Sequence, residues 1–164
     1  MPIRFTSGNI FENDALCLVN PVNCLGVMGA GLAKQFKERF PKCSEAYQKA
    51  CKDGLMKPGL VLLTGPERGH HVLHFATKGD WRRSSQLSWI RFGLQMSIVV
   101  LRRAGLNYVA FPAIGCGHGE LSWSDVRKEM ERQFANVPDL HVTCYEPIFL
   151  GSKTETKREL RRAS

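Results

Sequence analysis

The stretch ALCLVNPVNCLGVMGAGLAKQFKERFP, residues 15–41, passes from an apolar run through a glycine-rich loop into a helix-like pattern. ALCLVNPV (15–22) is almost continuously apolar, as a strand buried on both faces is, and Pro21 is expected to end it. From Gly31 to Arg39 the spacing predicts a helix, with Leu32, Ala33, Phe36 and the following Phe40 on one face and Pro41 as the stop. Gly26, Gly29 and Gly31 fill the space between.

The same order of strand, loop and helix continues outward. IRFTS (3–7) reads as a short strand that turns at Gly8-Asn9. SEAYQKACKD (44–53) reads as a helix capped by Ser44 and closed before Gly54. GLVLLTG (59–65) and HVLHFAT (71–77) are strand-like. The longest helix is expected from Ser84 to Arg103, where Leu87, Ile90, Leu94, Ile98 and Leu101 recur at three- and four-residue steps. NYVAFPAIG (107–115) is a buried strand that enters a second glycine loop. SWSDVRKEMERQF (122–134) is a helix capped by Ser122 or Ser124, with Asp125 in its first turn, and HVTCYEP (141–147) is the last strand.

This alternation predicts an α/β fold: a three-layer α/β/α sandwich with a mixed, mostly parallel sheet. One domain spans residues 1–150, and residues 151–164 form a basic polar tail. Ligands of such sheets bind beyond the carboxyl ends of the strands. Three unusual loops fall there: the one after ALCLVNPV, TKGDWRRSS (77–85) and GCGHGELSW (115–123).

Composition narrows the chemistry. The chain has 164 residues and a net charge of +8, which favours an anionic partner such as a nucleotide or nucleic acid. No apolar run is long enough to span a bilayer, and MPIRFTSGNIF lacks a signal-peptide core, so a cytoplasmic chain is expected. The six cysteines contain no CxxC pair and read as reduced, mostly buried thiols. His70 and His71 would point to opposite faces of a strand, and no metal site is expected.

Glycines ahead of a helix let backbone N–H groups approach an anion, and the helix start adds a favourable dipole. A second glycine loop at a strand end can close over the same anion, which suits a diphosphate. The spacing matches neither GxxxxGK[ST] nor GxGxxG, so kinases and dinucleotide-dependent dehydrogenases are set aside.

Four motifs in order, GNI (8–10), VNPVNCLGVMGAGLAKQFKERFP (19–41), TKGDWRRSSQLSWI (77–90) and FPAIGCGHGELSW (111–123), resemble the macrodomain family. Within it they are most similar to the branch of the terminal ADP-ribose protein glycohydrolase and the DarG antitoxins. The resemblance implies that Asn9 and Ile10 bind adenine, that Asn23 faces the distal ribose and that Asn20 shapes its loop. It implies a first phosphate loop at Gly29, Ala30, Gly31 and Leu32 and a second at Gly115, Cys116, Gly117, His118 and Gly119.

Lys78, beside ligand-binding Thr77, matches the branch's catalytic lysine. Its neutral amine would attack the anomeric carbon, and burial together with the neighbouring cations Arg82 and Arg83 would lower its pKa. The branch's acid in the second loop is replaced here by Gly119, which favours a good leaving group, and Glu120 follows it.

Trp81, Arg82 and Arg83 offer a surface for a single-stranded base and its phosphates. The implied activity is removal of ADP-ribose from modified single-stranded DNA by a monomer without a cofactor, beside a cognate ADP-ribosyltransferase toxin. Hydrolysis of ADP-ribose esters on proteins or of O-acyl-ADP-ribose, and non-catalytic reading of ADP-ribose, are the alternatives.

Overall fold

The computed structural model describes residues 3–147. The elements in chain order are β1 (Ile3–Thr6), a single 3-10 turn (Ile10–Glu12), β2 (Cys17–Val22), α1 (Gly31–Arg39), α2 (Pro41–Lys52), β3 (Val61–Glu67) and β4 (His70–Ala76). They continue with α3 (Leu87–Ala104), β5 (Tyr108–Phe111), α4 (Trp123–Phe134) and β6 (His141–Tyr145). The six strands form one sheet in the order β1-β6-β5-β2-β4-β3. Only the β3–β4 hairpin is antiparallel, so β1, β6, β5, β2 and β4 all deliver their carboxyl ends to one edge.

Alternation along the strands builds the two covered faces. Cys17 and Val19 of β2, Leu73 and Phe75 of β4, and Val109 and Phe111 of β5 pack in one core with Ile90 and Leu94 of α3 and Met130 of α4. Their neighbours Leu18, Val22, Val72 and Ala110 pack in the other with Phe36 of α1 and Tyr47 of α2. This is the expected three-layer sandwich. Helix α3 lies close enough that a Cβ on Gly93 would come within 2.1 Å of the Phe75 ring.

Pro21 does not end β2. The strand runs through it to Val22, and Pro21 pairs in register with Phe75. Val22 O accepts from Thr77 N at 3.0 Å, so the polar groups of Val22 point to β4 and those of Pro21 point the other way. On that side pairing with β5 stops at Leu18, and the missing N–H of Pro21 leaves no gap in a ladder.

Two helix starts also differ from expectation, and a third falls where expected. Helix α2 begins at Pro41, in its first turn, where a missing N–H costs nothing; Ser44 lies inside and its hydroxyl donates to Phe36 O. Helix α3 begins at Leu87, because Ser85 is held back by bonds from its hydroxyl to Thr77 O and from its N–H to Gly119 O. Ser122 occupies the cap position of α4 and makes no side-chain capping bond.

No helix among the described residues is long and apolar enough to cross a membrane. The tail at 151–164 lies outside the described residues.

Candidate functional site

The loops after β2, β4 and β5 enclose a cavity of about 560 Å³. It is lined by Asn23, Val27, Gly29, Ala30, Gly31 and Leu32 from the first loop and the start of α1, by Thr77, Lys78 and Trp81 from the second, and by Gly115, Gly117, His118 and Gly119 from the third.

Asn23 organises the first loop. Its Oδ1 accepts from Leu25 N at 2.9 Å and Val27 N at 3.3 Å, and its Nδ2 donates to Val27 O at 2.9 Å. From α2, the Tyr47 hydroxyl donates to Asn23 O at 2.7 Å and Gln48 Nε2 donates to Gly26 O at 3.1 Å. Cys24 N donates to Gly79 O at 2.9 Å, joining this loop to the one that carries Lys78. Tyr47 and Gln48 were not recognisable as site supports from sequence; the signal available was a tyrosine, with a polar tip, on an apolar helix face.

Helix α1 begins inside the cavity without a cap. Ala30 supplies no side-chain bond, and the first turn has no acid. Its leading N–H groups therefore face the cavity without a side-chain partner from the cap, an arrangement that favours an anion.

The glycines divide by physical cause. A Cβ on Gly29 or Gly117 would meet nothing within 4 Å, and neither residue has a left-handed backbone, so the protein's own packing does not require glycine there. Both line the cavity, where a side chain would occupy ligand space. Gly119 is different: its Cβ would lie 2.5 Å from Gly115 O. Gly115 has φ +75 and would meet Leu121 at 2.8 Å.

Lys78 is 8% exposed, and its Nζ donates to Trp81 O at 3.4 Å. Burial pushes its amine below the ordinary lysine range, while the carboxylates of Glu120 and Asp80 oppose that shift. The arginines do not supply the lowering. Arg82 is bound by Asp80 through Nε at 2.9 Å and Nη2 at 2.7 Å, which neutralises it. Glu120 adopts φ +63, and its Oε2 accepts from Ser84 Oγ at 2.8 Å, tying the second loop to the third.

Other expected residues fall elsewhere. Asn20 is fully buried behind the cavity on the α1–α2 side of β2, where its Nδ2 donates to His74 Nδ1 at 3.2 Å. The His74 ring stacks on Tyr47, with centroids 5.1 Å apart. Burial drives the His74 pKa down to about 3, so the ring is neutral. Cys116 points into the core, its Sγ donating to Ile114 O, and burial pushes its thiol up to about 12. Asn9 accepts from Phe11 N at 3.0 Å as the cap of the 3-10 turn, and Ile10 is buried beneath it. They stand at the carboxyl end of β1, on the same sheet edge, and do not line the cavity. Trp81 lines the cavity and is 51% exposed, whereas Arg82 and Arg83 stand outside it.

Two uncapped glycine approaches, a helix start and a buried lysine share this space, and the family model described as Macro domain matches residues 19–130. The chain belongs to the macrodomain family. A DNA ADP-ribosyl glycohydrolase of Mycobacterium tuberculosis is 42% identical to this macrodomain over 148 residues, covering 88% of the chain and 42% of that protein. The solved macrodomain of Mycobacterium tuberculosis DarG superposes with a TM-score of 0.84 at 40% identity, covering 88% of this chain and 97% of that one. The structure of Thermosipho africanus DarTG in complex with ADP-ribose gives a TM-score of 0.81 at 30% identity, over 88% of this chain and 41% of that one. The macrodomain thus spans less than half the length of the curated relative.

Proposed function

We propose that this macrodomain binds ADP-ribose and hydrolyses its link to a base of single-stranded DNA, with Lys78 as the nucleophile. The observation that carries this reading is a buried lysine, with its amine favoured towards the neutral form, in the same cavity as the uncapped start of α1. A pure reader of ADP-ribose needs the phosphate loops and no such amine.

In the first step the Nζ lone pair forms a bond to the anomeric carbon of the distal ribose. The glycosidic electron pair leaves with the base. In the second step water attacks the same carbon, the carbon–Nζ bond breaks, and the released amine and base share the protons delivered by lysine and water. Gly119 has no room for a side chain, so the acid implied for this branch has no place at that position. A leaving group that departs as a stabilised anion, such as a thymine imide, suits this arrangement. An acyl carboxylate meets the same requirement, which keeps protein esters as the second substrate to test.

The exposed Trp81 at the cavity edge supports stacking of a neighbouring base, and Arg83 supports contact with a phosphate. The residues given roles here all come from one chain, and the reading takes it to act as a monomer. The transferase named together with the glycohydrolase in a fusion protein of Thermosipho africanus, 30% identical over 164 aligned positions, supports a cognate ADP-ribosyltransferase as partner. The test is release of ADP-ribose from modified single-stranded DNA and, in parallel, from a protein modified on carboxylates. Release from DNA alone is expected. Release from protein alone moves the assignment to esters, and binding with no release from either makes the domain a reader.

A further inference from the structure

Lys78 stands near the start of the loop TKGDWRRSS (77–85), and that loop is fastened on two sides. Towards β2 and the first loop, Thr77 N donates to Val22 O at 3.0 Å, Cys24 N to Gly79 O at 2.9 Å and Cys24 Sγ to Lys78 O at 3.6 Å. Towards the third loop the fastening is Ser85, which is 7% exposed and does not line the cavity. Its hydroxyl donates to Thr77 O, and its N–H donates to Gly119 O at 3.0 Å. One buried residue thus commits both of its donors to the two loops, while its neighbour Ser84 reaches Glu120. Gly119 is a firm anchor, since it packs against Gly115 O with no room for a Cβ.

Resting on the reading of Lys78 as nucleophile, we propose that Ser85 is a positioning residue for the reaction, closing the lysine loop on itself and setting the place of Lys78 against the third loop. Thr77 O belongs to the planar peptide group that carries the Lys78 N–H, so the Ser85 hydroxyl fixes the plane from which the lysine side chain departs. The far end of that side chain donates to Trp81 O, which lies in the same closed loop. Both ends of the nucleophile therefore move with the loop. The side chain of Cys24 reaches Lys78 O through a thiol, a weak donor, which leaves the Ser85 hydroxyl as the stronger side-chain hold beside Lys78. Attack on carbon needs the nitrogen in line and within about 3–3.5 Å, and a misplacement of about 1 Å costs on the order of a hundredfold in rate. Without the hydroxyl, Thr77 O loses its buried donor, and the loop shifts to find another.

Ser85→Ala in the full chain removes the hydroxyl and keeps the N–H. Single-turnover release of ADP-ribose from modified single-stranded DNA, at saturating enzyme, should slow by roughly ten- to a hundredfold. Calorimetric affinity for free ADP-ribose should be unchanged, because Ser85 lies outside the cavity lining. Ser85→Cys keeps a weaker donor of similar size, and its rate should fall between those of Ser85→Ala and the wild type. Ser97→Ala is the control: it removes a buried hydroxyl that donates to Gly93 O at 2.7 Å within α3, and should leave rate and affinity alone. Should Ser85→Ala fail to fold, Ser85→Cys decides by the same two measurements. A wild-type rate in the Ser85 variants, or a loss of rate matched by an equal loss of affinity, overturns the positioning role and leaves Lys78 as nucleophile. Hydrolysis that survives in Lys78→Ala, or is absent from the wild type, overturns both.

Discussion

Gly117 and Gly119 stand two residues apart in one loop and should respond to substitution in opposite ways. A side chain at Gly117 meets nothing within 4 Å and needs no left-handed backbone, so Gly117→Glu should fold with its unliganded stability changed by no more than about 0.5 kcal/mol. That side chain enters the cavity and brings a negative charge against the phosphates. In the wild type, ADP-ribose at a hundred times its Kd should add about 2.7 kcal/mol, or about 5–11 °C in Tm for a domain of this size. Gly117→Glu should lose that shift entirely. Gly119→Ala places a Cβ 2.5 Å from a backbone oxygen that cannot move aside without the loop, and should lower the unliganded stability by about 1–3 kcal/mol. Differential scanning fluorimetry with and without ADP-ribose reads both effects. A normal ligand shift in Gly117→Glu, or a wild-type unliganded Tm in Gly119→Ala, would refute this division of the loop.

Three further outcomes follow from the site. Burial lowers the Lys78 pKa while Glu120 and Asp80 hold it up, and the neutral amine is the attacking form, so the rate rises with pH through that pKa. Asp80→Asn should therefore move the rising limb of the pH–rate profile to lower pH, and a move to higher pH would contradict the assignment of charges. Because Arg82 is already paired with Asp80, Arg83→Ala should weaken single-stranded DNA binding more than Arg82→Ala does. It should reduce the slope of log K against log salt by roughly 0.7 for one lost phosphate contact, measured by fluorescence anisotropy; equal effects would place both arginines on the DNA. Tyr47→Phe removes the donor to Asn23 O and should cost about 1 kcal/mol in denaturant unfolding. It should also weaken ADP-ribose binding measured by calorimetry, and unchanged affinity would show that the loop holds without it.

The sandwich was legible because the strand–loop–helix stretch at 15–41 repeats its logic along the chain. The period-2 alternation of Cys17, Leu18 and Val19 then assigns each residue to a face. That parity also explains placements that the local pattern did not show. Asn20 shares the face of Leu18 and Val22, so it projects under α1 and α2, where it reaches the Asn23 loop only through His74 and Tyr47. Pro21 was tolerated because a neighbouring strand ends early, a fact of pairing that no local pattern carries. Cys116 sits between two loop residues that do line the cavity, and a loop has no period from which to read its inward turn. The pairing of Arg82 with Asp80 reverses the electrostatic reading of TKGDWRR, since a short loop lets a carboxylate two residues away capture the nearer arginine. Gly117 and Gly119 look alike in sequence; only the packing around them separates ligand space from backbone contact.

The central claim is that the Lys78 amine forms a covalent bond to the ribose. Lys78→Ala and Lys78→Arg, assayed in single turnover on ADP-ribosylated single-stranded DNA beside calorimetric binding of ADP-ribose, test it most directly. Lys78→Ala should bind ADP-ribose nearly as the wild type does, because the glycine loops and the start of α1 lie elsewhere in the cavity. Both variants should lose hydrolysis by roughly a thousandfold or more, since arginine keeps the charge and stays protonated. Hydrolysis close to the wild-type rate in both, or rescue by Lys78→Arg alone, would contradict a covalent role and leave Lys78 at most a source of positive charge.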